Sequence, residues 1–115
     1  MDNVEACWTV KFGNPSSPIT DLNGGVIVLE SGRIFGGDSG YAYLGTYQIT
    51  SGICSGSLSV IMHDPQVVSM YGTQEPKFEL SFQVERIDAQ SMHGAIHRAG
   101  YPSATLRLNR LAELP

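Results

Sequence analysis

The sequence predicts an all-β fold: an antiparallel, up-and-down β-barrel of about eight strands, with one short helix near residues 65–71. Three observations carry that expectation. Short apolar runs recur with period two, and each ends in turn-forming residues such as Gly, Pro, Ser or Asp. No interior stretch of ten residues suits an amphipathic helix, because Gly, Ser, Thr or Pro interrupts every window. Charged residues are only 16% of the chain, which disfavours long solvated helices. The 115 residues suit a single domain spanning 1–115, and with 42% of them apolar they can fill a core.

The first expected strand is Ala6–Gly13. Trp8, Val10 and Phe12 share one face, and Cys7, Thr9 and Lys11 share the other. Asn14 to Pro18 is a loop by composition. The second strand, Val26–Glu30, is apolar on both faces, Val26 and Val28 on one and Ile27 and Leu29 on the other. A barrel strand with one wet face would alternate. Its exterior is therefore expected either to be covered by a helix, a loop or a second subunit, with Ile27 and Leu29 as the candidate interface residues, or to form a modest exposed apolar patch. Ser31-Gly32 has the form of a two-residue hairpin turn, and it leads into a short third strand, Arg33–Gly36.

Gly37 to Gly40 turns the chain into the fourth strand, Tyr41–Thr50. Here Tyr41, Tyr43 and Tyr47 share a face, and Gly45 leaves room for a bulky neighbour. Ser51-Gly52 is a second tight turn before the fifth strand, Ile53–Met62, whose Leu58, Val60 and Met62 face together. Asp64-Pro65 reads as an N-cap followed by proline in the first helical position, with Val67, Val68, Met70 and Tyr71 as the apolar side of the short helix. The sixth strand, Lys77–Ile87, alternates most cleanly: Phe78, Leu80, Phe82 and Val84 inward, Glu79, Ser81, Gln83 and Glu85 outward. A weak seventh strand, Met92–His97, precedes the eighth, Ser103–Leu111, which buries Leu106 and Leu108. Hairpin order throughout predicts closure, which removes exposed sheet edges.

The net charge of −4, with seven dispersed basic residues, argues against direct nucleic-acid binding. No apolar run approaches the ~20 residues of a membrane span. The acidic start lacks the features of an export signal, so a cytoplasmic location is expected. Cys7 and Cys54 are expected to be two buried, reduced thiols.

Gly37-Asp38-Ser39-Gly40 contains the string found around the nucleophile of trypsin-like proteases. All three histidines follow Ser39, and the reading is instead a turn in which Asp38 bonds the backbone ahead of it. His93 and His97 stand about 13 Å apart on a strand and cannot share a metal ion. No catalytic set, metal site or cofactor is therefore expected. The tyrosine row leaves three alternatives. Facing inward, it lines a cavity for a small apolar ligand, with Tyr43, Tyr47, Phe78 and Phe82 as candidate contacts. Facing outward, it forms an aromatic patch for a protein. In the third, the rings pack and the hydroxyls sit at the rim.

Several segments together resemble the GrlR-like family: Trp8-Thr9-Val10-Lys11-Phe12, Gly24-Gly25-Val26-Ile27-Val28-Leu29, Ser31-Gly32-Arg33-Ile34, Gly36-Gly37-Asp38-Ser39 and Tyr43-Leu44-Gly45-Thr46-Tyr47. Later segments are also similar: a strand ending in His63, a loop with Ser69-Met70-Tyr71-Gly72, then Phe78-Glu79-Leu80 and a closing Leu106-Arg107-Leu108. The resemblance runs from about Trp8 to Leu111. It implies a lipocalin-like barrel with one short helix that tends to form a homodimer. It also implies a regulatory role, since the named member is a negative regulator of type III secretion genes that sequesters a transcriptional activator. That regulator's acidic loop would correspond to Ile49-Thr50-Ser51-Gly52-Ile53, which has no acidic residue, so no partner-binding residue is carried across. Two functions are thus expected of this chain: a non-catalytic barrel that binds a protein partner or itself, or a carrier of a small molecule or lipid.

Overall fold

The computed structural model describes residues 4–13, 24–66 and 75–115, and their regular structure is entirely β. The strands are β1 (Ala6–Gly13), β2 (Gly25–Glu30), β3 (Arg33–Gly37), β4 (Tyr41–Thr50), β5 (Ile53–Met62), β6 (Lys77–Asp88), β7 (Ser91–His97) and β8 (Ala104–Ala112). Each pairs antiparallel with the next, and β8 returns to pair with β1, closing the barrel. The eight-strand, hairpin-ordered expectation is therefore met. The short helix expected near 65–71 falls mostly outside the described residues. What is described of it is a turn, in which Asp64 Oδ1 accepts from the Gln66 N–H at 3.0 Å.

Two of the hairpins turn on the same dipeptide. Ser31-Gly32 and Ser51-Gly52 both hold positive φ at both residues (53° and 78°, 54° and 79°). That is the twist of a type I′ turn, which matches the right-handed twist of the flanking strands. Glycine takes the second position without steric cost, and the pairs Glu30–Arg33 and Thr50–Ile53 close directly around the turns. Gly45 plays a different part. A Cβ there would lie 2.0 Å from the Ser57 carbonyl and 3.0 Å from Leu58 Cδ2, so the space it leaves is taken by β5.

Alternation sorts side chains between the interior and the outer wall. Trp8, Val10, Phe12, Ile27, Leu29, Ile34, Tyr41, Tyr43, Leu58, Val60, Phe78, Leu80, Phe82, Val84, Met92, Ile96, Leu106 and Leu108 form one buried cluster. Ile27 and Leu29 belong to that interior, not to the outer surface where the doubly apolar strand placed a candidate interface. Their neighbours in register are Trp8, Ala6 and Ile34, all buried. The outward side of β2 is Val26 and Val28. Cys54 is buried as expected, but Cys7 faces out from β1 and is only half-buried.

The two ends of the barrel differ. One end has the tight β2–β3, β4–β5 and β6–β7 turns, and it is plugged by Trp8, which has no solvent exposure. The Trp8 indole N–H donates to the Val4 carbonyl at 2.9 Å, satisfying its polar atom. The guanidinium carbons of Arg110 and Arg86 lie 4.9 Å and 5.8 Å from the indole centroid. Both arginines also donate to the Ala89 carbonyl in the β6–β7 turn, at 3.2 Å and 3.1 Å. The opposite end carries the long β1–β2, β5–β6 and β7–β8 connections.

Replacing the plug should be costly. Trp8→Ala is expected to lower the unfolding free energy by about 3–5 kcal/mol, the range for large-to-small changes at fully buried aromatics. A urea titration followed by circular dichroism checks this. A loss below about 1 kcal/mol would mean that the tight end is not held by Trp8.

Candidate functional site: the long-loop mouth, the interior and the outer wall

At the long-loop end the Gly37–Gly40 turn is built on Asp38. Its Oδ1 accepts the N–H groups of Gly40 and Tyr41 at 2.9 Å and 2.8 Å, and its own N–H donates to the Tyr41 carbonyl at 2.9 Å. Its Oδ2 accepts from the Tyr43 hydroxyl. Oδ1 thus shapes an Asx-type turn, and Oδ2 ties that turn to the Tyr43 side chain. His63 Nε2 lies 3.0 Å from the Asp38 carbonyl, and the His63 N–H donates to the Gly40 carbonyl at 2.8 Å. The end of β5 is therefore strapped to the turn. The protease-like string serves this bracket, with Asp38 and His63 as its fasteners.

Tyr43 connects the mouth to the interior. Burial, then the hydrogen bond and charge of Asp38, hold its phenol well above its ordinary value, so it stays neutral and donates. Its ring meets Phe12 edge-on, with centroids 6.2 Å apart, and the Tyr41 ring meets Phe78 at 6.0 Å. The tyrosine row therefore faces inward, and the Tyr43 hydroxyl reaches the rim. Above Phe78 sits Arg98, the buried charged residue among those described. Its guanidinium carbon lies 4.1 Å from the Phe78 centroid and 4.4 Å from that of Tyr101, and the group donates to the Glu75 carboxylate. Pairing and stacking together offset the cost of burying that charge.

Beneath this layer, among the described residues, lies a void against Phe12, Tyr43, Leu58, Phe82 and Leu106, with Cys54 also on its wall. About 30 Å³ of it is open to the centre of a water-sized sphere, and its lining is wholly apolar. That is room for little more than a solvent molecule, and an apolar void of this kind stays dry. Of the four candidate ligand contacts, Tyr43 and Phe82 meet at the void. Phe78 belongs to the mouth layer under Arg98. Tyr47 lies half-buried nearer the tight end, where its N–H donates to the Gly32 carbonyl at 2.8 Å.

The outer wall has its own pattern. Paired residues in an antiparallel sheet point to the same side. Register therefore lines up Cys7, Val28, Phe35, Leu44 and Ser59 in one outward row, and Thr9, Val26, Gly37, Ala42 and Ile61 in the next. Val26, Phe35 and Leu44 are 41%, 40% and 44% exposed, so an apolar face lies open across β2, β3 and β4. Phe35 and Leu44 were not singled out from the sequence. On the outward side of its strand each stands between small or polar residues, Phe35 between Arg33 and Gly37 and Leu44 between Ala42 and Thr46, and its place beside Val26 and Val28 comes from register across three strands.

Among the described residues no three of His, Cys, Asp and Glu converge as a metal site, and no helix is long and apolar enough to cross a membrane. His93 and His97 both lie on strand β7, where residues four apart stand about 13 Å from one another. No protein-family model matches the sequence, and no curated protein matches it significantly.

The buried thiol gives a pH test of the interior. Burial pushes Cys54 up to about 11 from an ordinary 9.0. A raised value means that the folded state holds the proton more tightly, so the stabilisation is complete below pH 9 and is lost as pH rises from about 9 to 11. The urea midpoint of the wild type should therefore fall over that window more steeply than that of Cys54→Ala. Parallel curves would place the thiol in contact with solvent.

Proposed function

We propose that this chain is a non-catalytic binding barrel that acts through its outer wall on another protein, as the GrlR-like resemblance implies for a cytoplasmic regulator. The observation that carries this reading is the contrast between the two sides of the sheet. The interior retains a void of about 30 Å³, whereas pockets for small molecules run from roughly 300 Å³ upward. The outer face of β2–β4 instead presents Val26, Phe35 and Leu44 to solvent. Contiguous exposed apolar surface is the feature by which partner-binding faces are distinguished. The hydrogen bonds that tie Asp38 and His63 to the backbone of the turn support a structural part for the protease-like string. A transcriptional activator is one partner of the class the resemblance implies, and a second copy of the chain is another.

The carrier alternative makes the opposite demand, since it needs the interior to open and the mouth layer of Arg98, Phe78 and Tyr101 to part. Native mass spectrometry of protein purified from cells separates the two readings. The expected result is the bare polypeptide mass, without a retained lipid or metabolite. In parallel, wild-type and Phe35→Glu/Leu44→Glu baits are compared, and a protein bound by the first should be lost from the second. A small molecule held stoichiometrically inside the barrel would sink the binding-wall reading.

A further inference from the structure

We propose that Lys11 and Arg107, neighbours on the outer faces of β1 and β8, form the docking point for a carboxylate-rich segment of the partner protein. The inference rests on the binding-wall reading and names the chemistry of its partner. The two residues lie near opposite ends of the chain, and closure of the barrel sets them directly opposite each other in register. Among the described residues, theirs is the one register pair that places two lysine or arginine side chains together. Like charges directly opposite one another destabilise a sheet, so the pairing gives the fold nothing by itself. Arg107 forms no ion pair or hydrogen bond among the described residues, and its Nε is sealed from water without a partner. The residue as a whole is only half-buried, which leaves the terminal nitrogens of the guanidinium open to solvent. They form a planar fork that matches the two oxygens of a carboxylate.

The next outward positions on the same two strands are Thr9, Gly13, Thr105 and Asn109, all uncharged. Glu5 and Glu113, just beyond these strands, are engaged at the tight end, with the Ser31 N–H and with Arg110. His93 continues the row on β7, but it faces Glu85 across the β6–β7 pair and interacts with Asp88, so the basic character is concentrated at Lys11 and Arg107. The chain as a whole carries a net charge of −4. An acidic segment is therefore repelled by most of the surface and steered to this spot. The spot also adjoins the apolar face. Thr9 pairs with Val26, which makes Lys11 and Val26 diagonal neighbours, about 7–8 Å apart. A partner resting on Val26, Phe35 and Leu44 reaches Lys11 one strand further on and Arg107 two. A phosphate group would meet the same cations, but the adjoining apolar surface favours a protein that brings carboxylates beside an apolar patch of its own.

The test is an NMR titration of the isotope-labelled chain at low salt with hexaglutamate, hexalysine and inorganic phosphate as probes. Hexaglutamate should shift the amides of Thr9, Lys11, Arg107 and Asn109 most, hexalysine should leave them in place, and the shifts should fade as added salt screens the charges. Arg107→Gln should weaken the hexaglutamate complex about threefold, the scale of one exposed charge pair. Lys11→Glu/Arg107→Glu should abolish it. Because Arg107→Gln removes a like-charge contact, its urea midpoint should equal or exceed that of the wild type, which separates lost binding from lost folding. Tighter binding of phosphate than of hexaglutamate at the same amides would overturn a carboxylate-bearing partner in favour of a phosphate-bearing one. Hexaglutamate shifts that are absent from these residues, spread evenly over the surface, or indifferent to both variants would overturn the site itself. Either result leaves the comparison of wild-type and Phe35→Glu/Leu44→Glu baits untouched. Failure of the underlying reading would appear separately, as a small molecule retained in the barrel.

Discussion

Pairing of β1 with β8 joins the two ends of the chain and turns an open sheet into a barrel. Thr9 donates its hydroxyl to the Asn109 carbonyl at 3.3 Å, and Thr105 donates to the Gly13 carbonyl at 3.1 Å, across gaps of 100 and 92 residues. Everything else in the fold is local by comparison, since each remaining strand pairs with its neighbour in sequence. Closure leaves no free edge, and it also assigns every alternate side chain to an enclosed volume of fixed size. Trp8 sits within this seam, opposite Ile27 on one side and Arg110 on the other. The residue that fills the tight end is thus placed by the pairing that creates that end. Such distant pairing forms only after its loop-closure entropy has been met, which makes it a slow element of folding.

Strand existence, order and inward faces were legible because period-two alternation in a half-buried strand is a direct imprint of burial. Phe78, Leu80, Phe82 and Val84 are inward in β6 as their spacing demanded, and so are Leu106 and Leu108 in β8. Strand β2 escaped the method for a physical reason. When both faces are apolar, alternation no longer says which one is inside, and the choice falls to register with β1 and β3. That register puts Ile27 and Leu29 in and leaves Val26 and Val28 out. The tyrosine row had the same ambiguity, settled here by the Tyr43–Asp38 hydrogen bond at the rim. Arg98 left no signal at all. It occupies a loop, and its partners Glu75 and Phe78 lie 23 and 20 positions earlier in the chain.

The two ends of the barrel divide its tasks. At the tight end, type I′ turns and the Trp8 plug leave few backbone groups to rearrange. At the other end, the Asp38 bracket ties the end of β5 to the β3–β4 turn, and the Arg98 stack ties the β7–β8 connection to Phe78 and Glu75. Among the described residues, then, the two ends are held by different chemistry, and the buried cluster lies between them.

The outer wall divides by charge. Glu30 and Arg33 are the charged residues on the outward positions of β2–β4, and the rest of that face is apolar or neutral. Acidic groups flank it: Glu5 Oε2 accepts from the Ser31 N–H at 2.7 Å beside Glu30, and Glu79 Oε1 accepts from the Ser59 hydroxyl at 2.8 Å in the row that continues from Leu44. Taking a charged group out of water costs far more than covering an apolar one. On these three strands it is therefore Val26, Phe35 and Leu44 that a contact would cover at least cost, and the flanking carboxylates that would limit how far it spreads.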